Sequence, residues 1–322
     1  MLTFTFLGTS AGVPTKTRNV SGLVIQNSLN RQWVLIDAGE ATQHQLQKVG
    51  LSLQQLACIC ITHVHGDHCY GLPGVLASAG MNRRTQPLTL IAPKQVLDWL
   101  NCTLNSGGLY LPYELVMLDS TALLANRWQL FEGLVIQTYP LLHRVPCFAY
   151  QLTIQQQQRH LDTQKLENIG LPAGRSWRAL QYGQNVEFNG QTLYSQDFVS
   201  LQTLQQRAVI AGDNAEPFIL AQACEQADVL IHEATYLQTT LDKVGPAYMH
   251  SAAQQVAQFA QFINLPNLIL THFSPRHQGD AGQAAMAQEV SRYYQGKFYL
   301  ARDFDHFKLD AVGQLQLGQI TS

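Results

Sequence analysis

Ile61-Thr62-His63-Val64-His65-Gly66-Asp67-His68, ITHVHGDH in one-letter form, places three histidines and an aspartate within six positions. Cys58, Ile59, Cys60 and Ile61 form the apolar run of a buried strand, so the histidines begin where that strand stops. The turn is too short to hide them, and Gly66 lets the backbone bend among them. Imidazole nitrogen plus carboxylate oxygen is the ligand set that suits a borderline divalent ion such as Zn²⁺. A lone histidine is more often a satisfied polar residue than a ligand. Three of them with an aspartate in so short a span read as metal-binding, His63 and His65 on one ion and Asp67 and His68 turned towards a second.

The same grammar, an apolar run, a short turn and then a ligand type, recurs at three remote places. His143 follows Ile136–Leu142, Asp213 follows AVIAG, and His272 follows LILT. Sheet proteins gather function at strand ends because those loops converge on one rim. Paired metals need a bridging carboxylate, and Asp213 is the natural one. The allocation is His63, His65, His143 and Asp213 for the first ion, and Asp67, His68, His272 and Asp213 for the second. Each ion then keeps an open position, as catalytic sites require. His232-Glu233 and His250 stand close enough in this pattern to reach the metals without binding them, and a carboxylate–histidine pair there suits a proton relay. His44 lies in a helical stretch. His160, His277 and His306 sit in polar surroundings and read as surface or network residues.

Outward from these anchors, residues 2–7, 22–26 and 32–36 have strand patterns, broken by Gly8, Gly12, Pro14 and an Asn27–Asn30 turn. Ala41–Val49 reads as helix, as does Gly71–Met81. Pro87–Ala92 is a strand, Lys94–Leu104 an amphipathic helix, and Leu115–Leu118 and Leu134–Tyr139 are strands. Val186–Val199 is expected to be a hairpin turning at Asn189-Gly190. Strands at Arg207–Ala211, Val229–Ile231 and Leu268–Leu270 alternate with helices at Phe218–Gln226, Ser251–Ile263 and Ala281–Tyr294, and Lys297–Ala301 is the closing strand. Two β-rich halves with helices outside predict an α+β fold, a four-layer αββα sandwich, with 1–322 as one domain. Residues 155–185 differ. A glutamine run, Gln155–Gln158, opens a stretch of weak apolar periodicity, and Arg159, Lys165, Arg175 and Arg178 outnumber Asp162 and Glu167. A stretch of this length without clear structure inside a compact domain is usually functional or disordered.

At 322 residues with 46% hydrophobic and 13% charged, the composition is globular but poor in charge. The net charge of −2 gives no global attraction to nucleic acid, so any such binding needs a local basic surface. No apolar run reaches the roughly 20 residues of a membrane span. MLTFTFLGTS reads as a first strand rather than a secretory signal. The six cysteines, Cys58, Cys60, Cys69, Cys102, Cys147 and Cys224, form no CxxC pair and read mostly as reduced core residues, which points to a cytoplasmic protein.

HxHxDH followed by distant His, Asp and His resembles the metallo-β-lactamase superfamily. Within it the chain is similar to the short form of the ribonuclease Z family of tRNA 3′-processing endonucleases. The shared segments span nearly the whole chain. They are FLGTSAGVPT (6–15) with Arg18-Asn19-Val20, LIDAGEATQ (35–43), ITHVHGDHCYGLPG (61–74), LLHRVPCFAY (141–150), GDN (212–214), IHEATY (231–236) and LTHFSPR (270–276). The resemblance implies two Zn²⁺ per subunit at His63, His65, Asp67, His68, His143, Asp213 and His272. It implies Asp67 as the proton acceptor that orients the water, with His250 and Glu233 assisting protonation of the departing ribose oxygen. Residues 155–185 would be an inserted flexible arm gripping the tRNA elbow. Arg175 and Arg178 on that arm, and Arg276 just past His272, are candidate RNA contacts. The implied activity is removal of the 3′ trailer from precursor tRNA by a homodimer. Two departures stand out: Gly174 precedes Arg175 where the family's arm has Gly-Pro, and Ala41 stands where GEGT would have glycine. A small-molecule metallo-hydrolase of the same fold, glyoxalase- or lactamase-like, would account for the metals but not for the basic arm.

Overall fold

Residues 1–28, 31–124, 126–131 and 133–318 are described by a computed structural model; the second half of the expected Asn27–Asn30 turn lies outside them. The first part of the chain supplies β1 (Leu2–Gly8), β2 (Gly22–Asn27), β3 (Trp33–Ile36), β4 (Leu56–Cys60), β5 (Leu88–Ala92) and β6 (Leu115–Asp119). The middle supplies β7 (Trp128–Phe131), β8 (Leu134–Leu141), β9 (Cys147–Leu161), β10 (Val186–Phe188), β11 (Gln191–Leu193) and β12 (Val199–Ile210). β13 (Val229–Glu233), β14 (Asn267–Thr271), β15 (Lys297–Leu300), β16 (His306–Leu309) and β17 (Leu315–Gly318) follow. Among the described residues these make an eight-stranded sheet, β17-β16-β1-β2-β3-β4-β5-β6, a seven-stranded sheet, β15-β14-β13-β12-β9-β8-β7, and a two-stranded one, β10-β11.

Strand alternation sends successive side chains to opposite faces, and here both faces are buried. On the first sheet Leu7, Val24, Leu35, Ile59 and Leu90 pack with Leu46, Val75 and Val96 of the helices Thr42–Lys48, Leu72–Met81 and Lys94–Ser106. On the second, Val209, Leu230, Leu268 and Leu270 pack under Val256, Phe259, Met286 and Val290 of the helices Ala253–Phe262 and Asp280–Tyr293. The alternate residues, Phe4, Phe6, Ile25, Cys58 and Cys60 on one sheet and Tyr150, Ile210, Ile231 and Ile269 on the other, are as deeply buried. The two sheets face each other through them. The Tyr150 hydroxyl donates to the carbonyls of Ile61 (2.7 Å) and Ile91 (3.1 Å) across the gap. The result is the expected α+β sandwich with helices on its outer faces. Parallel pairing of β3 to β6 and of β12 to β15 requires crossover helices, and it leaves the carboxyl ends of neighbouring strands at a common edge.

The chain divides into two compact units, Met1–Thr153 with Gln206–Ser322, and Ile154–Gln205. The second has its own small core of Leu166, Leu171, Leu180 and Phe198, with Trp177 packed on it and donating its indole N–H to the Leu171 carbonyl at 3.0 Å. Short helices Thr163–Asn168 and Arg175–Gln181 and a β10–β11 hairpin closing at Phe188 and Gln191 build this unit. Three expectations need correcting. Phe218–Gln226 is not an α-helix but a 3₁₀ turn over Pro217–Leu220 followed by turns, with i→i+3 bonds such as Ala221 N–H to the Phe218 carbonyl. Lys297–Ala301 is not the last strand, because β16 and β17 add to the free edge of β1. His277 is neither a surface nor a network residue: it is buried with its Nε2 unpartnered among the described residues, and its backbone is so close to Gly282 that a Cβ on that glycine would overlap it.

Candidate metal centre

Each ligand candidate is delivered by a strand end. β4 stops at Cys60, and the next residues lead into a one-turn helix, Gly66–Cys69, with His65 at its N-cap. His143 follows β8, Asp213 follows β12, and His272 follows β14 in a left-handed backbone conformation (φ 57°). The loops are packed tightly. A Cβ on Gly39 would stand 2.2 Å from the Asp67 carbonyl oxygen, so only glycine lets the two loops meet.

The donor atoms form two groups. In the first, His63 Nε2 lies 3.0 Å from His65 Nδ1 and 3.6 Å from Asp213 Oδ2, and His143 Nε2 is 3.3 Å from His65 Nδ1. In the second, His68 Nε2 and His272 Nε2 are 3.2 Å apart, with Asp67 Oδ2 3.6 and 3.3 Å from them. Asp213 Oδ1 faces this second group, 3.4 Å from His68 and 3.5 Å from His272. The two oxygens of Asp213 thus serve different groups. Four ligands at about 2.0–2.1 Å around a tetrahedral Zn²⁺ are spaced by about 3.3 Å, so the donor set fits divalent ions in both places. All seven side chains from the sequence reading meet in these groups.

The opposite nitrogens of four of the five rings are held by the protein, which fixes which nitrogen is presented. His63 Nδ1 is 3.0 Å from Thr62 Oγ1, and His143 Nδ1 donates to the Met249 carbonyl at 3.0 Å. His272 Nδ1 is 3.0 Å from Thr235 Oγ1, and His68 Nδ1 is 2.7 Å from Asp37 Oδ2. Asp37 also accepts from the Thr62 amide (2.7 Å) and hydroxyl (3.0 Å). Asp67 Oδ2 accepts from the Gly12 amide at 2.7 Å. Sequence reasoning passed over Asp37, Thr62, Thr235 and Met249; the only signal for Asp37 was its place at a strand end within LIDAGEATQ.

Ligating histidines must be neutral. Burial pushes His63, His65 and His143 below the usual histidine range, with His68 adding to the effect on His63 and His143 to that on His65. Burial also opposes charge on His68, but Asp213, Asp67 and Asp37 outweigh it and hold that ring well above the usual range. Asp213 stays well below the carboxylate range despite its burial, chiefly because of His272 and His68. Beside the two groups, His250 Nδ1 lies 3.0 Å from Glu233 Oε1 and 3.7 Å from Asp213 Oδ2. Burial works against a charged His250, yet Glu233 and Asp213 lift it to about 9. Glu233 accepts also from the Asn214 amide (2.8 Å) and the Thr235 hydroxyl, so both of its oxygens are engaged. His250 Nδ1 thus faces Glu233, and His250 also stands in a third group of donors with Asp213 and His272. His232 is fully buried and bonded to Asn214 and to the Glu233 carbonyl. Arg276, Arg175 and Arg178 are all exposed, Arg178 over the Tyr182 ring at 5.7 Å. No helix among the described residues is long and apolar enough to cross a membrane.

A family model described as Anti-Pycsar protein Apyc1 matches residues 2–295. A ribonuclease Z of Marinobacter nauticus is 44% identical over 317 residues, covering 97% of this chain and 98% of the relative. A ribonuclease Z of Pseudomonas putida strain F1 is 43% identical over 315 residues, with 97% and 98% covered. Among solved structures, human tRNase Z, short form, superposes with a TM-score of 0.64 at 26% identity, over 96% of this chain and 99% of that one. The metallo-β-lactamase fold protein YhfI from Bacillus subtilis, at 15% identity, shares the fold with a TM-score of 0.66 over 95% and 98% of the two chains. With full-length relatives at this identity, the chain belongs to the ribonuclease Z family and has the metallo-β-lactamase fold.

Proposed function

We propose that this chain is a metal-dependent endoribonuclease that removes the 3′ trailer from precursor tRNA, leaving a 3′-hydroxyl on the tRNA and a 5′-phosphate on the trailer. The observation that carries the reading is Asp213, whose two oxygens face two separate groups of histidines. The residues would hold two Zn²⁺ per subunit, one by His63, His65, His143 and Asp213, the other by Asp67, His68, His272 and Asp213. When bound, such ions would polarise the scissile phosphate and lower the pKa of a water from 15.7 to about 7. Asp67, fixed by the Gly12 amide, accepts a hydrogen bond from the attacking water and orients its lone pair towards phosphorus. His250, charged and steadied by Glu233, donates the proton that the ribose 3′-oxygen needs to leave. Glu233 is a positioning residue in this scheme, since its oxygens are taken up by His250, Asn214 and Thr235.

Folded RNA is recognised by shape and backbone. Residues 155–185, with exposed Arg175 and Arg178, would serve as the tRNA-binding arm, and Arg276 as a backbone phosphate contact. The family resemblance further supports a homodimer working in the cytoplasm. The test is incubation of the purified protein with a precursor tRNA bearing a 3′ trailer, with and without chelator. Cleavage at the trailer junction that stops on chelation and returns with Zn²⁺ is expected. No cleavage by the metal-loaded protein would end the proposal.

A further inference from the structure

Arg144 follows directly on His143, and Tyr248 lies two positions before His250. The His143 and His250 rings are 5.4 Å apart, and the Arg144 guanidinium carbon stands 5.7 Å from the centre of the Tyr248 ring. With Asp67, Asp213, His250 and His272, both residues line a cleft of about 290 Å³. Met249 sets this arrangement. It adopts a left-handed conformation (φ 56°), and its carbonyl accepts a hydrogen bond from His143 Nδ1, so Tyr248 and His250 on either side of it are fixed relative to His143. Tyr248 is 50% exposed, and Arg144 is exposed with no ion-pair partner among the described residues. An exposed cation lying over a half-exposed aromatic ring matches the two halves of a nucleotide, a phosphate and a base with a π-face.

We propose that Arg144 and Tyr248 form a nucleotide subsite for the last nucleotide of the tRNA, the one that carries the departing 3′-oxygen. Its base stacks on Tyr248, and the phosphate on its 5′ side pairs with Arg144. The side follows from the proton donor. His250 serves the leaving oxygen, so the surface next to His250 and His143 meets the leaving nucleotide, whereas Asp67 and Gly12 face the incoming water. This inference rests on the endonuclease reading above.

The experiment measures KM and kcat for trailer removal by the metal-loaded wild type and by Tyr248→Phe, Tyr248→Leu and Arg144→Met, each checked for wild-type metal content. Substrates are an intact precursor tRNA, one abasic at the last tRNA nucleotide, and one abasic at the first trailer nucleotide. Tyr248→Leu should raise KM about 5- to 160-fold with kcat little changed, and Tyr248→Phe should restore it. Arg144→Met should raise KM on every substrate. The loss from Tyr248→Leu and the loss from the abasic last nucleotide should not add, because each removes the same stack, while the trailer abasic site should add. An unchanged KM for Tyr248→Leu, or non-additivity with the trailer site instead, would overturn the subsite. A wild type that cleaves none of the precursors overturns the endonuclease reading itself, and the subsite with it.

Discussion

Replacing Asp37 by asparagine tests whether the His68 ring is set by its partner rather than by the loop that bears it. Asp37 has φ 59°, a left-handed conformation that asparagine tolerates, so the backbone need not move. In the native arrangement Oδ1 accepts from the Thr62 amide, and Oδ2 accepts from the Thr62 hydroxyl and faces His68 Nδ1 at 2.7 Å. Asparagine has one acceptor where aspartate has two. If that oxygen stays on the Thr62 amide, the NH₂ group faces His68 and drives the ring proton to Nε2, the nitrogen that faces His272 and Asp213. If the amide flips instead, the buried Thr62 N–H loses its acceptor, at about 1–3 kcal/mol. Loss of such an orienting partner typically weakens metal binding by about 10- to 100-fold, equivalent to about 1.4–2.7 kcal/mol. The effect should be largest at the ion held by His68, because His143 takes its Nδ1 partner from Met249 and His63 is reached only through Thr62 Oγ1, which donates to Asp37. Chelator competition on the Zn²⁺-loaded protein should therefore show one equivalent weakened by that factor and the other weakened less, with the far-ultraviolet circular dichroism retained. Two equivalents held with native affinity would refute the argument.

The pH profile should carry the mark of His250. Its folded pKa of about 9 lies above the ordinary histidine value, so its charged form, and the stability it lends, are complete below about 6.5 and lost as pH rises through about 9. kcat for trailer removal should fall along that alkaline limb, and His250→Gln should abolish the limb together with most of kcat; a variant with the native profile would exclude the role. Ala41 stands in a left-handed conformation (φ 61°) before the helix Thr42–Lys48, so Ala41→Gly should raise the unfolding free energy by about 0.5–1 kcal/mol in a urea titration, and a loss of stability would refute the strain argument. Replacing residues 157–203 with an Asn-Gly turn between the paired Gln155 and Gln205 ends should leave hydrolysis of a small phosphodiester intact while precursor-tRNA cleavage collapses. Equal loss of both would mean that this unit supports the fold instead of the substrate.

The ligand set was legible because its signal is local. Each candidate sits directly behind an apolar run, and strands of a sandwich that run in the same direction bring such ends to one edge, so the spacing of residues 61–68 and the ends of three later strands carry the geometry with them. The partners that orient the rings are a different matter. Asp37 lies 31 residues before His68, Thr235 37 residues before His272, and Met249 106 residues after His143, and one of the three acts through a backbone carbonyl that any residue could supply. No residue type marks such a position. The same holds for the long strands β9 and β12, whose outer halves are exposed on both faces and so lack the one-sided alternation that betrays a strand. The core of Leu166, Leu171, Leu180 and Phe198 is drawn from widely spaced apolar residues that fall on no single period. Periodicity reports only structure that is asymmetric towards a core. In this chain the metal edge is the product of that asymmetry, while the orienting contacts and the Ile154–Gln205 unit depend on contacts between residues far apart in sequence.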